Sequence, residues 1–154
     1  MKLGGWMKLI LLLCVFFSSS AYATLGEHVS QITENEGRFL KVSNKRITQA
    51  SSAYTVHELT VDGATVKEYA DANGVVFAVS WNGMKTPDLS VIFGSYYTEY
   101  KVERENIVRV KGVRSVSVRT GSLVVNSGGH MRNLNGFAHI PSLVPAGLDL
   151  ATLN

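Results

Sequence analysis

Cysteine is nearly missing from this chain of 154 residues: its one cysteine, Cys14, lies close to the N-terminus. A disulfide-rich scaffold is therefore excluded. Long apolar runs are missing too, because Leu9–Phe17 has nine residues whereas a membrane-spanning helix needs about 20. The 14 glycines follow no period and no sustained heptad pattern occurs, which excludes collagen and coiled coils. With 45% hydrophobic and 18% charged residues, the chain is also too apolar for a disordered tail.

The start of the chain has the order of a secretory signal peptide. Lys2 and Lys8 accompany the apolar run, serines follow it, and Ala21 and Ala23 occupy the −3 and −1 positions of a cleavage site. We expect residues 1–23 to be removed and the protein to be periplasmic or secreted. A retained anchor is disfavoured because the run is short. Lipidation is disfavoured because the cysteine lies inside the run instead of after it.

Cleavage would leave one small domain, residues 24–154, without cysteine and with 13 basic against 12 acidic residues. Such a domain can hold no disulfide, thiol nucleophile or cysteine-ligated zinc. Its nearly balanced charge argues against a nucleic-acid partner. The expected partner is an envelope protein or an anionic envelope polymer.

The pattern of the domain predicts an α+β fold. Strands are expected at Tyr54–Val61, at 65–69 and at 75–81, joined by turns at Asp62-Gly63 and at 71–74. Further strands are expected within 107–119, 123–125 and 131–140, with a turn at 127–129. The prediction is an antiparallel sheet of about five to six strands in meander–helix–hairpin order, with helices packed on one face.

Two helices are predicted. A short one covers residues 26–36, where apolar side chains recur at roughly helical spacing. The other begins at Thr86 as N-cap, followed by Pro87 and Asp88. One apolar stripe follows at helical spacing, which favours packing against the core: Leu89, Ile92, Phe93, Tyr96, Tyr97 and Tyr100.

The most unusual segment is Gly128-Gly129-His130-Met131-Arg132. Adjacent glycines allow positive φ and close approach, and a histidine and an arginine beyond them place a titratable ring and an anion donor at one tip. We interpret this segment as a candidate recognition tip. The alternative is an ordinary turn whose His130 faces solvent.

Secondary candidates are Trp81, Asp88, Arg109 and Lys111. Trp81 ends a strand whose bulky face carries Val75, Phe77 and Val79, so it either covers the core or lines a groove. Arg109 and Lys111 belong to a basic segment, 101–119, with six basic and two acidic residues. Such a strand could bind anionic polymers or lipid heads, or its charges could protect a sheet edge.

Signatures of enzymes are lacking. No Gly-x-Ser-x-Gly elbow, phosphate-binding loop or dinucleotide fingerprint occurs. The four histidines have no metal-ligand spacing, so neither a metal nor another cofactor is expected. The favoured function is a non-enzymatic binding or accessory domain. The alternatives are a small hydrolase or transferase using His130 with a carboxylate such as Asp88, and a structural or assembly accessory.

The chain resembles the bacterial exported family called domain of unknown function 2844. The resemblance rests on segments that span the domain in order: Ala23-Thr24-Leu25-Gly26, Tyr54-Thr55-Val56, Val66-Lys67-Glu68-Tyr69, 74–81, Pro87-Asp88-Leu89, 94–97 and 127–132. Met84 stands where the family pattern has proline, and 104–118 is atypical. The resemblance implies export and a single small domain, and it carries no activity, substrate or catalytic residue.

Overall fold

The computed structural model describes residues 25–29, 42–50, 53–61, 63–108 and 110–153. Within these ranges seven strands form one sheet in the order β1-β2-β3-β4-β7-β6-β5, and all neighbours are antiparallel. The strands are β1 Val42–Ala50, β2 Tyr54–Val61, β3 Ala64–Asp71, β4 Val76–Gly83, β5 Val116–Arg119, β6 Val124–His130 and β7 Asn133–His139. The predicted signal peptide, Thr24 and Arg109 lie outside the described residues.

The antiparallel sheet is confirmed, but it has seven strands instead of five or six. β1 was not predicted, because its sequence is mostly polar and lacks the β-branched alternation of β2. The β2–β3 hairpin follows the prediction, with Val61 opposite Ala64 across a two-residue turn in which Gly63 has φ +83°. The turn between β3 and β4 is also confirmed, and the Asp71 carboxylate accepts hydrogen bonds from the backbone of Asn73 and Val75.

The second predicted helix exists, but it is broken and begins later. Its parts are α1 Leu89–Phe93, a 3-10 turn Gly94–Tyr96 and α2 Tyr97–Asn106. Asp88, not Thr86, is the N-cap, since its carboxylate accepts from the Ser90 amide at 2.9 Å. Gly94 has φ +47° and interrupts the hydrogen-bond pattern of the helix. No helix among the described residues is long and apolar enough to cross a membrane.

One face of the sheet packs against these helices. Its cluster joins the stripe residues Ile92, Phe93 and Tyr100 to buried strand residues, as the stripe predicted. The strand residues include Val66, Val76, Val79, Trp81, Val118, Val125 and Ala138. The rings of Trp81 and Phe93 lie 6.0 Å apart.

Phe77 was predicted to share one face of its strand with Val79 and Trp81, and this prediction was wrong. A β-bulge separates two pairs of β3 and β4, because Tyr69 opposes Ala78 whereas Ala70 opposes Val76. Phe77 is therefore the extra residue, and the alternation of side chains changes phase there. As a result Val76, Val79 and Trp81 share the helix face, while Phe77 packs on the opposite face.

A second cluster forms on that opposite face beneath the C-terminal segment. Val56, Tyr69, Phe77 and Phe137 are buried there together with Leu153. The segment contains 3-10 turns at Pro141–Leu143 and Leu150–Leu153. The sheet is thus covered on both faces, by helices on one and in part by this segment on the other.

Predictions for three further segments differ from the structure or lie partly outside its described residues. Residues 107, 108 and 110–115 form coil and turns, so among the described residues of the basic segment strand conformation is confined to β5. Ser127, Gly128 and Gly129 lie inside β6, and the turn is formed by Met131 and Arg132, since His130 pairs with Asn133. Of the predicted N-terminal helix, 26–28 is turn and an isolated bridge from His28 to Val75, whereas Val29 is helical. Residues 30–36 lie outside the described residues.

Candidate functional site

The predicted recognition tip is an exposed hairpin end. Met131 is 94% exposed, and Arg132 has φ +64°, the left-handed conformation that favours glycine. Gly129 has φ +133°, and a Cβ there would lie 2.2 Å from the Asn133 carbonyl oxygen. Gly129 is therefore required by the hairpin, whereas the His130, Met131 and Arg132 side chains are not part of the core clusters.

Among the described residues, the side-chain partner of His130 is Arg114 and not a carboxylate that would serve the hydrolase alternative. His130 Nδ1 lies 3.0 Å from Arg114 Nη1, so the guanidinium donates and the ring nitrogen accepts. The Asp88 carboxylate is engaged by the Ser90 amide and hydroxyl at the start of α1. Among the described residues, no group of three or more His, Cys, Asp and Glu side chains could hold a metal ion.

The secondary candidates occupy separate places. Trp81 is 2% exposed and belongs to the helix-side core, which supports core cover. Lys111 is exposed in the coil before β5. Arg109 lies outside the described residues. Trp81 also borders a groove that Gly128 of the tip lines, whereas Asp88 and Lys111 do not.

A polar groove crosses the sheet on the face opposite the helices. Two rows of directly paired residues build it, and pairing across neighbouring strands places the members of a row on one face. The first row is Thr65, Asn82, Asn135 and Gly128. The second row is Lys67, Ser80, Phe137, Asn126 and Ser117. The groove therefore runs over five strands, from β3 to β5.

The groove has a volume of about 640 Å³, within the range of about 300–1,000 Å³ usual for ligand sites. Tyr69, Phe137 and Leu153 line one part of it. The Tyr69 hydroxyl donates to the Leu153 carbonyl oxygen at 2.5 Å, which fixes the C-terminal segment beside the groove. Burial raises the pKa of Tyr69, so this hydroxyl keeps its proton and remains a donor at neutral pH.

Amides, hydroxyls and one lysine are the polar side-chain groups of the groove, and Trp81, Val116, Phe137 and Leu153 add apolar surface. Lys67, Asn82, Ser117, Asn126 and Asn135 are exposed there. Two contacts orient the amides: Asn82 donates to Asn133 at 3.0 Å, and the Ser117 hydroxyl donates to Asn126 at 2.7 Å. The described residues that line the groove include no aspartate, glutamate, histidine or cysteine.

His139 lies on the same sheet face, opposite Ala78 and Val124. Burial lowers the pKa of His139, and the Arg119 charge lowers it further. The ring is therefore neutral at neutral pH, and it packs beside Phe137 at 5.7 Å. It is not among the residues that line the groove.

Sequence reasoning missed this groove. Alternating polar residues on a strand usually mark a face turned to solvent, and nothing in the linear order shows that five strands align theirs. Gly128 is the one member of the predicted tip that lines it. The cross-strand register is the information that the sequence pattern lacked.

Comparisons with known proteins give one result. Searches of curated proteins and of solved structures each found no match. A family model described as "Protein of unknown function (DUF2844)" matches residues 21–153. Since this match covers nearly the whole chain and agrees with the resemblance seen in the motifs, the chain belongs to the DUF2844 family.

Proposed function

We propose that the chain is an exported, non-enzymatic binding domain whose groove takes a neutral glycan segment. The observation that carries the proposal is the lining of the groove, in which amides, hydroxyls and one lysine lie over five strands without a carboxylate, imidazole or thiol among the described residues. Export is inferred from the signal-like order of residues 1–23.

The groove suits binding better than catalysis. General acid–base chemistry needs a group whose pKa lies near the operating pH, most often histidine or a carboxylic acid. The groove lining offers neither kind of group. Covalent catalysis would need an activated nucleophile, and the one exposed serine of the second row, Ser117, donates to Asn126 instead of to a base.

A glycan fits the chemistry of the lining. Each sugar hydroxyl both donates and accepts, and an asparagine amide offers two donors and an acceptor in one plane. Asn82, Asn126 and Asn135 present such amides on three adjacent strands. An apolar ligand would leave these amides without suitable partners, and buried polar groups without partners are costly.

The test uses protein beginning at Thr24, which contains every described element. Cellohexaose, maltohexaose and chitohexaose are titrated in turn, and binding is followed by calorimetry and by amide chemical shifts. We expect one of these hexasaccharides to bind and to shift amides of β4, β7 and β6. The double substitution Asn126→Ala with Asn135→Ala should weaken that binding at least tenfold.

The matched control is Asn106→Ala, which removes an exposed amide at the end of α2. It should leave the affinity unchanged. Absence of binding for all three hexasaccharides up to millimolar concentration would refute the glycan proposal. Equal binding by wild type and the double variant would refute the groove as its site.

A further inference from the structure

Exposed apolar side chains gather at one end of the sheet. Among the described residues six large hydrophobic side chains are exposed, and four of them belong to the two loops and the turn at this end. They are Met84 at 62%, Val110 at 64%, Val113 at 58% and Met131 at 94%. Isolated exposed side chains need no explanation, but a cluster of this kind marks an interaction site.

Strand pairing and side-chain contacts place these segments together. Gly83 pairs with Leu134, so the loop after β4 leaves the sheet beside the β6–β7 turn. Arg114 contacts His130, and the Arg114 carbonyl and Ser115 lie about 3.4 Å from where a Gly128 Cβ would be. The coil before β5 therefore reaches the same end. We call this surface the tip end: Met84, Lys85, Val110, Lys111, Val113, Arg114, Met131 and Arg132.

The tip end is also cationic. Lys85, Lys111, Arg114 and Arg132 are exposed there. Between residues 106 and 148 the sequence has five arginines and lysines and no aspartate or glutamate. The charged members of the tip end are therefore all basic, which makes this surface positive.

We infer that the tip end docks on an anionic lipid surface, with Met131, Val113 and Val110 entering the interface and Lys111, Arg114 and Arg132 contacting lipid phosphates. Two features point to lipid. Cations alone would serve a soluble polyanion, whereas exposed apolar side chains gain free energy only where they leave water. An anionic membrane interface accommodates apolar side chains and attracts cations at once.

The inference is independent of the glycan groove. The tip end is formed by loops and a turn where the strands end, whereas the groove crosses a face of the sheet. Docking through this end would leave that face open to solvent beside the membrane. A failure of glycan binding would therefore not change the expectation for lipid.

Sedimentation with vesicles tests the inference. Protein beginning at Thr24 is mixed with vesicles of phosphatidylcholine alone or with an equal part of phosphatidylglycerol. Wild type should sediment only with the anionic vesicles. Met131→Ser with Val113→Ser, and separately Lys111→Ala with Arg132→Ala, should each lower the partition coefficient at least fivefold. Val102→Ser, which alters an exposed valine on α2, should leave it unchanged.

A second measurement detects insertion directly. Because the domain has no cysteine, Met131→Cys can be labelled with an environment-sensitive fluorophore, with Val102→Cys as the control. A blue shift with anionic vesicles at position 131 and not at 102 is expected. Failure of wild type to bind those vesicles would overturn the inference. The inference would also be overturned if Met131→Ser with Val113→Ser bound as well as wild type and the label at Met131→Cys showed no blue shift. Attraction would then be purely electrostatic, as for a soluble polyanion.

Discussion

Gly136 lies directly across from Trp81 in the neighbouring strand, and its missing side chain leaves the space that the indole fills. A Cβ built on Gly136 would lie 2.1 Å from Cζ2 and 2.4 Å from Cε2 of the indole. The indole is 2% exposed and packs against Phe93 of α1. At the scale of single residues, this pair joins the sheet to the helices.

Gly136→Ala should therefore destabilise the fold by about 1–3 kcal/mol, the usual cost of overpacking a rigid core. The measurement is urea-induced unfolding. Gly128→Ala is the matched control on the same hairpin, because its Cβ would meet its nearest atoms at an ordinary 3.4 Å. If both variants lost the same stability, the close approach of the indole would not be the cause.

Trp81→Ala should cost about 3–5 kcal/mol, as expected for removing a large buried aromatic side chain. The free energy of unfolding from urea titration provides the check. A cost below about 1 kcal/mol would contradict the burial of this side chain.

At the scale of elements, one carboxylate ties α2 to the turn between β5 and β6. Glu99 accepts hydrogen bonds from the Ser122 hydroxyl at 2.6 Å and from the Gly121 amide at 2.9 Å. These bonds, that from Ser122 foremost, lower the pKa of Glu99. The ionised carboxylate is therefore favoured in the folded state.

This gives a pH dependence with a defined sign. The stabilisation from Glu99 is complete above its unfolded pKa of about 4.5 and is lost as the pH falls through the lower folded pKa. Thermal unfolding between about pH 6 and pH 3 should show a smaller decline for Glu99→Gln than for wild type. Glu105→Gln, at the other end of α2, is the control and should keep the wild-type slope.

Local patterns predicted most elements and failed where register decides. β2 was predicted with its observed bounds, because β-branched residues and a turn signal agree there. The bulge at Phe77 could not be predicted, because no residue type is specific for it. One extra residue nevertheless shifts every following side chain of the strand to the other face. The segment 107–115 alternates like a strand, yet only 116–119 finds a partner strand.

At the scale of the whole molecule, both faces of the sheet matter. Helices close one face, and the C-terminal segment closes only part of the other, which leaves the polar groove. The sequence predicted the tip, because unusual residues are contiguous there. It could not predict the groove, whose residues are distant in sequence and individually ordinary, such as Thr65, Asn82 and Asn126.

Export is the molecule-scale expectation that a single measurement decides. Cleavage after Ala23 should leave Thr24 as the first residue of the secreted protein, because small residues stand at both recognition positions. Intact mass spectrometry of the protein from the periplasm or medium measures the cleavage site. Because the cleaved protein has no cysteine, dithiothreitol should not change its unfolding. A mass that retains Cys14, with or without lipid, would contradict the expectation.

The pairing of Trp81 with Gly136 also limits how the family can diverge. A side chain at 136 is acceptable only after the residue at 81 has become smaller, and a smaller residue at 81 alone leaves a cavity. Each order of change passes through a less stable protein, so we expect the two positions to change together. In relatives with a larger residue at 136, position 81 should hold a smaller one. Trp81→Leu and Gly136→Ala combined should accordingly cost less than the two changes added separately.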